Sequence, residues 1–248
     1  MERNALDRKM LSVDVLDAGV LQGIDAVTFR QDLTGRKMTI AGRRGKQMFI
    51  GLDDGSFLTI HLGMTGDLGI ETGEVVPRYS RIVFRLEGGI NLYYSDQRKF
   101  GAVGIVGTVN QFVNDHKLGP DALCIGLSDF MERVSGHKKA IKSVLLDQSI
   151  LSGVGNLYAD EVLFQAHVHP ATHADTISRR KLNELHRQMG VVLRASIAVS
   201  SDFVSLPDGF LLRTRGEGAE CPRGNGLLVV TKVGGRTSIY CPKCQRLK

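Results

Sequence analysis

No run in the 248 residues comes near the roughly 20 consecutive apolar positions that a bilayer span requires. The opening MERNALDRKM alternates charge and lacks the apolar centre of a secretory signal. Cysteine is scarce. The four residues at 124, 221, 241 and 244 do not make the paired framework of a small secreted fold. The last three crowd the C-terminus, a distribution that suits a metal better than disulfides. Internal repeats and low-complexity tracts are missing too. These absences lead to the expectation of a monomer in the cytoplasm or nucleoid, with no membrane partner.

What is present points to a globular chain with a core. Apolar residues make up 42%, and the length allows one large or two modest domains. Lys and Arg outnumber Asp and Glu by 32 to 26, giving a net charge of +6. That balance favours a polyanionic partner without requiring one.

Residues 1–107 read mostly as strand. Met38–Ala41, Gln47–Leu52 and Phe57–Leu62 are short β-prone runs separated by Arg43-Arg44-Gly45 and Asp53-Asp54-Gly55-Ser56. Arg81–Leu86, Ile90–Ser95 and Ala102–Val106 follow, the first two joined by Glu87-Gly88-Gly89. Tight turns between close strands predict an antiparallel sandwich or barrel. Ala26–Leu33 reads as a short helix.

Helical spacing takes over in residues 108–216. Ser128 is a suitable cap for a short helix, and Ser178 opens a long amphipathic one with Leu182, Leu185, Met189, Val192, Leu193 and Ile197 on its apolar face. Between them, residues 141–170 read as helix, glycine-rich break, helix. The break is Gly153-Val154-Gly155-Asn156, with Asn156 read as the N-cap of the second arm. A glycine-opened helix start near Lys138, Lys139 and Lys142 can clamp phosphate. An ordinary helical hairpin fits the same pattern. Residues 217–248 return to strand chemistry, with Gly234-Gly235-Arg236 between two β-prone runs.

That last segment, CPRGNGLLVVTKVGGRTSIYCPKC, has the spacing of a zinc ribbon except that Gly224 stands at the second cysteine position. Structural zinc takes four ligands, and Cys221, Cys241 and Cys244 supply three. Zinc is one reading; a metal-free hairpin with buried cysteines is the other.

Taken in order, RRGK (Arg43–Lys46), HLGMTG (His61–Gly66), SDQRKFG (Ser95–Gly101), LGPD (Leu118–Asp121), GVGNLYADE (Gly153–Glu161) and KVGGRTSIYC (Lys232–Cys241) resemble the formamidopyrimidine-DNA glycosylase/endonuclease VIII family. The resemblance spans nearly the whole chain. It implies an α+β fold: an N-terminal antiparallel β-sandwich, then a helical domain with a helix–two-turns–helix motif, then a C-terminal zinc-ribbon-like β-hairpin. Damaged double-stranded DNA would lie in the cleft between sandwich and helices.

The implied activity is excision of oxidised bases in base excision repair, with AP-lyase cleavage by β,δ-elimination. An enzyme acting on a base takes it out of the stack and fills the gap. Met64, Arg98 and Phe100 match the family's void-filling residues: an apolar plug, a guanidinium for the orphaned base, an aromatic wedge. Lys46 matches a lysine beside the damaged nucleotide that assists elimination. Asn156 and Arg236 match phosphate-gripping residues, and Arg236 also matches the proton donor of the second elimination. Lys142 is expected on the same phosphate track. Glu161 is expected to order the motif's hydrogen bonds, with a solvated glutamate as the alternative. Residues 198–215 are the natural place for a lesion-covering loop, or a plain connector.

One departure bears on catalysis. The family opens with a proline after the initiator methionine, followed by glutamate; the proline amine attacks the sugar C1′. This sequence opens Met-Glu-Arg-Asn, Met1 falls inside the family pattern, and Glu2 does not match the catalytic glutamate. The first expectation is an active enzyme whose start lies upstream. The alternative is a non-catalytic damaged-DNA binding protein on the same scaffold. A zinc-ribbon regulator unrelated to repair would leave Met64, Arg98 and Phe100 unexplained.

Overall fold

The computed structural model describes residues 5–73 and 75–247; Glu2 falls outside them. The chain forms two compact units, Met1–His116 and Lys117–Lys248.

The first unit holds two four-stranded antiparallel sheets. Strands β1 (Met10–Val15), β5 (Gly66–Thr72), β6 (Ser80–Leu86) and β7 (Ile90–Asp96) form one, in the order β1-β6-β7-β5. Strands β2 (Met38–Arg44), β3 (Gln47–Leu52), β4 (Phe57–His61) and β8 (Ala102–Val106) form the other, in that order. Alternation along the strands turns one face of each sheet inward. Met10, Ile50, Leu58, Ile60, Phe84, Leu92 and Val103 thus share one buried core. Helix α1 (Ala26–Leu33) adds Phe29 and Leu33 to it. Asp25 caps α1, accepting from the Val27 and Thr28 N–H groups, a cap worth about 1 kcal/mol. The sandwich is the expected one, with two strands the pattern did not single out: β1 and the glycine-containing β5.

Helix α2 (Val109–Asp115) falls in the first unit. The C-terminal hairpin belongs with the helices in the second, so the compact bodies are two where the sequence suggested three segments.

In the second unit, α3 (Leu127–Ser135), α4 (Ile141–Leu146), α5 (Asn156–Gln165) and α6 (Arg179–Ala198) pack around Phe130, Val144, Leu145, Val162, Leu163, Leu185 and Met189. Ser178 caps α6 as expected, accepting from the Lys181 N–H at 3.4 Å. Two capping expectations are corrected. Gly126, not Ser128, precedes α3, and Gly155 precedes α5, so Asn156 is the first helical residue. This frees the Asn156 side chain for another partner. Within residues 198–215, Leu206, Phe210, Leu211 and Leu212 are buried, whereas Val204 is 76% exposed.

The hairpin pairs β9 (Val229–Val233) with β10 (Arg236–Tyr240). Gly234 (φ 56) and Gly235 (φ 74) make the two-residue connection, and positive φ at both positions is what a hairpin turn matched to the strand twist demands. Leu228, Ile239, Cys221 and Cys241 close a small core against Phe164 of α5 and Leu211. Among the described residues, no helix is long and apolar enough to cross a membrane.

Candidate functional site

In the first unit, the loop after β4 and the loop after β7 meet over one carboxylate. Asp96 is fully buried. Its Oδ1 accepts from the Thr65 hydroxyl at 2.5 Å and from the Arg98 N–H at 3.2 Å; its Oδ2 accepts from the Gly101 N–H at 2.8 Å and the Tyr94 hydroxyl at 3.2 Å. Burial alone would raise the carboxyl's pKa. The hydrogen bonds from Thr65, Gly101 and Arg98 outweigh it and hold the value below the ordinary one. The charged form therefore fastens both loops.

The backbones of the two loops touch as well: a Cβ on Gly63 would lie 2.5 Å from the Phe100 carbonyl carbon and the Gly101 nitrogen. Within this frame Met64 is 71% exposed and Phe100 56% exposed. Large apolar side chains held out into water by a rigid frame invite an occupant to cover them. The Arg98 guanidinium lies 4.5 Å from the Phe100 ring centre, a cation–π contact that orients its donors. Between them Lys99 takes φ 55, and its ammonium pairs with Asp17 at 2.6 Å. The three residues singled out for void filling are thus carried on one fastened pair of loops.

Lys46 sits in the β2–β3 turn and is exposed. His61 faces the same turn. Its pKa is pushed down first by burial and then by the Lys46 charge, and its Nδ1 accepts from the Gly63 N–H at 3.1 Å. The neutral imidazole thereby holds the start of the Met64 loop.

In the second unit, Lys142 contradicts its expected role on the phosphate track. Its side chain is fully buried, with Nζ 2.7 Å from Asp160 Oδ1, and it donates to the Thr237 carbonyl at 2.6 Å and the Ser238 hydroxyl at 2.7 Å. All its donors point inward. Burial drives its pKa down, against the Asp160 carboxylate that supports the charge. Asp160 Oδ2 takes the Arg215 guanidinium at 2.8 Å and the Ile239 N–H at 3.1 Å. The lysine fixes the hairpin to the helices; it does not reach out to a ligand.

Asn156 joins the same carbonyl, donating from Nδ2 to Thr237 at 3.1 Å, while its Oδ1 is buried without a hydrogen-bond partner. Two side chains from the helical motif thus converge on the carbonyl of Thr237, the residue after Arg236. Arg236 itself begins β10 and is exposed. Glu161 is the ordering residue and not a solvated one: it is fully buried and accepts from the Leu211 and Leu212 N–H groups at 3.2 and 2.8 Å. Burial raises its pKa.

At the base of the hairpin, the sulfurs of Cys221, Cys241 and Cys244 lie within 4.8 Å of one another. Cys221 and Cys244 are 3.7 Å apart. These three cysteines form a cluster able to bind a metal.

The N-terminal domain model of formamidopyrimidine-DNA glycosylase matches residues 1–103, and its H2TH domain model matches residues 118–208. A formamidopyrimidine-DNA glycosylase of Pelotomaculum thermopropionicum is 33% identical over 97% of this chain and 92% of its own length. The chain belongs to the formamidopyrimidine-DNA glycosylase family. An Arabidopsis thaliana member is 30% identical over 100% of this chain and 68% of its own. Among solved structures, the Lactococcus lactis enzyme bound to FAPY-dG-containing DNA superposes with a TM-score of 0.88 at 25% identity, covering 99% of this chain and 95% of that one. The same enzyme bound non-covalently to DNA with an AP site gives 0.88, again at 25%, covering 98% and 94%.

Asp96 and Asp160 are the site residues that sequence reasoning missed. Both lie inside quoted motifs, SDQRKFG and GVGNLYADE, so the signal was present. A buried carboxylate and a solvated one look alike in a sequence.

Proposed function

We propose that this chain is a base-excision-repair DNA glycosylase with AP-lyase activity that acts on oxidised bases in duplex DNA. The observation that carries the reading is the Asp96-fastened pair of loops presenting Met64, Arg98 and Phe100. When a base is drawn out of the stack, Met64 fills the gap, Phe100 wedges the neighbouring step, and Arg98 donates to the orphaned partner. Arg236 and the remaining Asn156 amide proton bind the phosphates near the lesion, contacts that carry affinity and little sequence information. Lys46 lies beside the nucleotide and assists elimination.

In the family reaction an amine attacks C1′ and displaces the base, giving a Schiff base. Loss of a C2′ proton then expels the 3′ phosphate, and a second elimination, with Arg236 as proton donor, expels the 5′ phosphate. Cys221, Cys241 and Cys244 would hold zinc at the base of the hairpin that presents Arg236. The 3.7 Å between Cys221 and Cys244 supports this: two sulfurs at about 2.3 Å from a tetrahedral zinc stand about 3.8 Å apart.

A second reading, a lesion-binding protein on the same scaffold without turnover, is favoured by Gly224, which departs from the family's four thiolates. Borohydride trapping on duplexes with 8-oxoguanine or an abasic site separates the two when it is run on this chain, which opens Met-Glu-Arg-Asn, and on one extended with the family's Met-Pro-Glu opening. A covalent adduct supports the glycosylase reading. Lesion-selective binding with no adduct supports the second. Equal affinity for lesion and intact duplex overturns both.

A further inference from the structure

Zinc in a structural site is enclosed by four protein ligands; a site that lacks one keeps a position for an outside ligand. The hairpin base has three thiols, and among the described residues no further His, Cys, Asp or Glu joins their group. The fourth cysteine position is Gly224, which has no side chain to offer. Its φ is 69, and no atom lies within 4 Å of where a Cβ would stand. A shallow depression of about 180 Å³, lined by Glu220, Gly224, Gly226 and Leu227, opens beside it. Cys221 and Cys241 are buried, whereas Cys244 is partly exposed.

Contacts other than a metal hold the cysteine-bearing turns. The Arg223 guanidinium donates to the carbonyls of Phe164 and Gln165 at 2.9 and 3.4 Å and lies 4.2 Å from the Phe164 ring centre. Gln245 is buried; it donates to the Val168 carbonyl at 2.8 Å and accepts from the Cys241 N–H at 3.1 Å. The first turn is thereby fixed through Arg223, and the second through Gln245, to the end of α5 and the residues after it. The Asn225 amide donates to Cys244 Sγ at 3.2 Å, a neutral partner that supports a thiolate without replacing a ligand. Protein contacts thus reach both cysteine-bearing turns.

We propose that the hairpin carries an open three-thiolate metal site, with a coordination position at Gly224 filled from solvent and exchangeable for an external thiol or imidazole. The proposal rests on the zinc reading above and goes beyond it in two respects. The ion exchanges readily, because a three-sided shell leaves it accessible. The hairpin keeps its fold when the ion leaves, because Arg223, Gln245 and the Asp160 pairs do not depend on it.

The test uses the full chain, reduced and stripped of metal, then titrated with Co²⁺. One equivalent should bind with a thiolate-to-cobalt charge-transfer band about three-quarters as intense as in Gly224→Cys, since each thiolate contributes to it. The visible bands should shift when imidazole or mercaptoethanol is added. In the zinc-loaded proteins, a chelator should remove zinc at least about ten-fold faster from the parent than from Gly224→Cys. The strained φ at position 224 makes circular dichroism of that variant a necessary control, and the imidazole titration of the parent does not depend on the variant. Bands indifferent to imidazole and thiol, altered only in Asn225→Ala, would show that the protein closes its own shell; this overturns the open position and leaves zinc binding intact. Absence of any charge-transfer band would overturn the zinc reading as well.

Discussion

Lys142 and Asp160 form an ion pair at 2.7 Å with neither side chain exposed, and through it the helical motif and the hairpin are fastened together. Asp160 also binds the Ile239 N–H, and Lys142 the Thr237 carbonyl, so the pair holds the backbone of β10 at two points along one edge. Replacing Lys142 with Met should destabilise the protein by about 3 kcal/mol, the lower end for a broken buried pair, because Arg215 still faces Asp160. Urea denaturation measures this. A loss below about 0.5 kcal/mol, the scale of an ordinary surface substitution, would contradict the fastening role.

Arg98 and Arg236 should separate by phenotype. Arg98→Ala should lower the preference for lesion over intact duplex by roughly ten-fold. Arg236→Ala should weaken both complexes alike and reduce the salt slope by about one. Fluorescence anisotropy over a salt series reads both. Equal loss of preference in the two variants would count against this division of labour.

Asp96→Asn should reproduce the Arg98→Ala defect with Arg98 and Phe100 untouched. An amide keeps one acceptor and sets its NH₂ against donors now served by the carboxylate, at a cost of about 1–3 kcal/mol. Full lesion preference in Asp96→Asn, measured by the same titration, would show that the loops hold their shape without it.

Acidification should loosen the Met64 loop. His61 has its pKa pushed below the ordinary 6.5, by burial first and Lys46 second. As pH falls, the unfolded chain therefore takes up the proton before the folded one does. The stability contributed by neutral His61 is complete above 6.5 and is lost as pH drops through the lower folded value. Protonation also removes the Nδ1 acceptor of the Gly63 N–H. Amide exchange at Gly63, after correction for its intrinsic pH dependence, should accelerate below about pH 6.5 in the parent and not in His61→Gln. Identical profiles would refute the link.

The sandwich strands were readable because short β-prone runs such as Gln47–Leu52 and Phe57–Leu62, set off by Arg43-Arg44-Gly45 and Asp53-Asp54-Gly55-Ser56, are a local signal. Strand β5 was not, since Gly66 and Gly69 dilute it. Exposed positions such as Met64 and Phe100 were identifiable only through the motifs around them, for apolar side chains ordinarily signal core. The misplaced residue was Lys142. Its partners Asp160, Thr237 and Ser238 lie far along the chain, and a lysine beside other lysines reads as solvated until those partners are brought to it. Asn156 failed as a cap for a related reason: the glycine before it opens the helix, and its amide serves the hairpin.

The turn at Gly234 sets a limit of a different kind. A Cβ there would lie 2.3 Å from the Ser143 hydroxyl on α4, so the hairpin tip has no clearance on that side. Glycine is consequently what lets the tip lie this near α4, and a side chain at 234 would push against the start of the strand that carries Arg236.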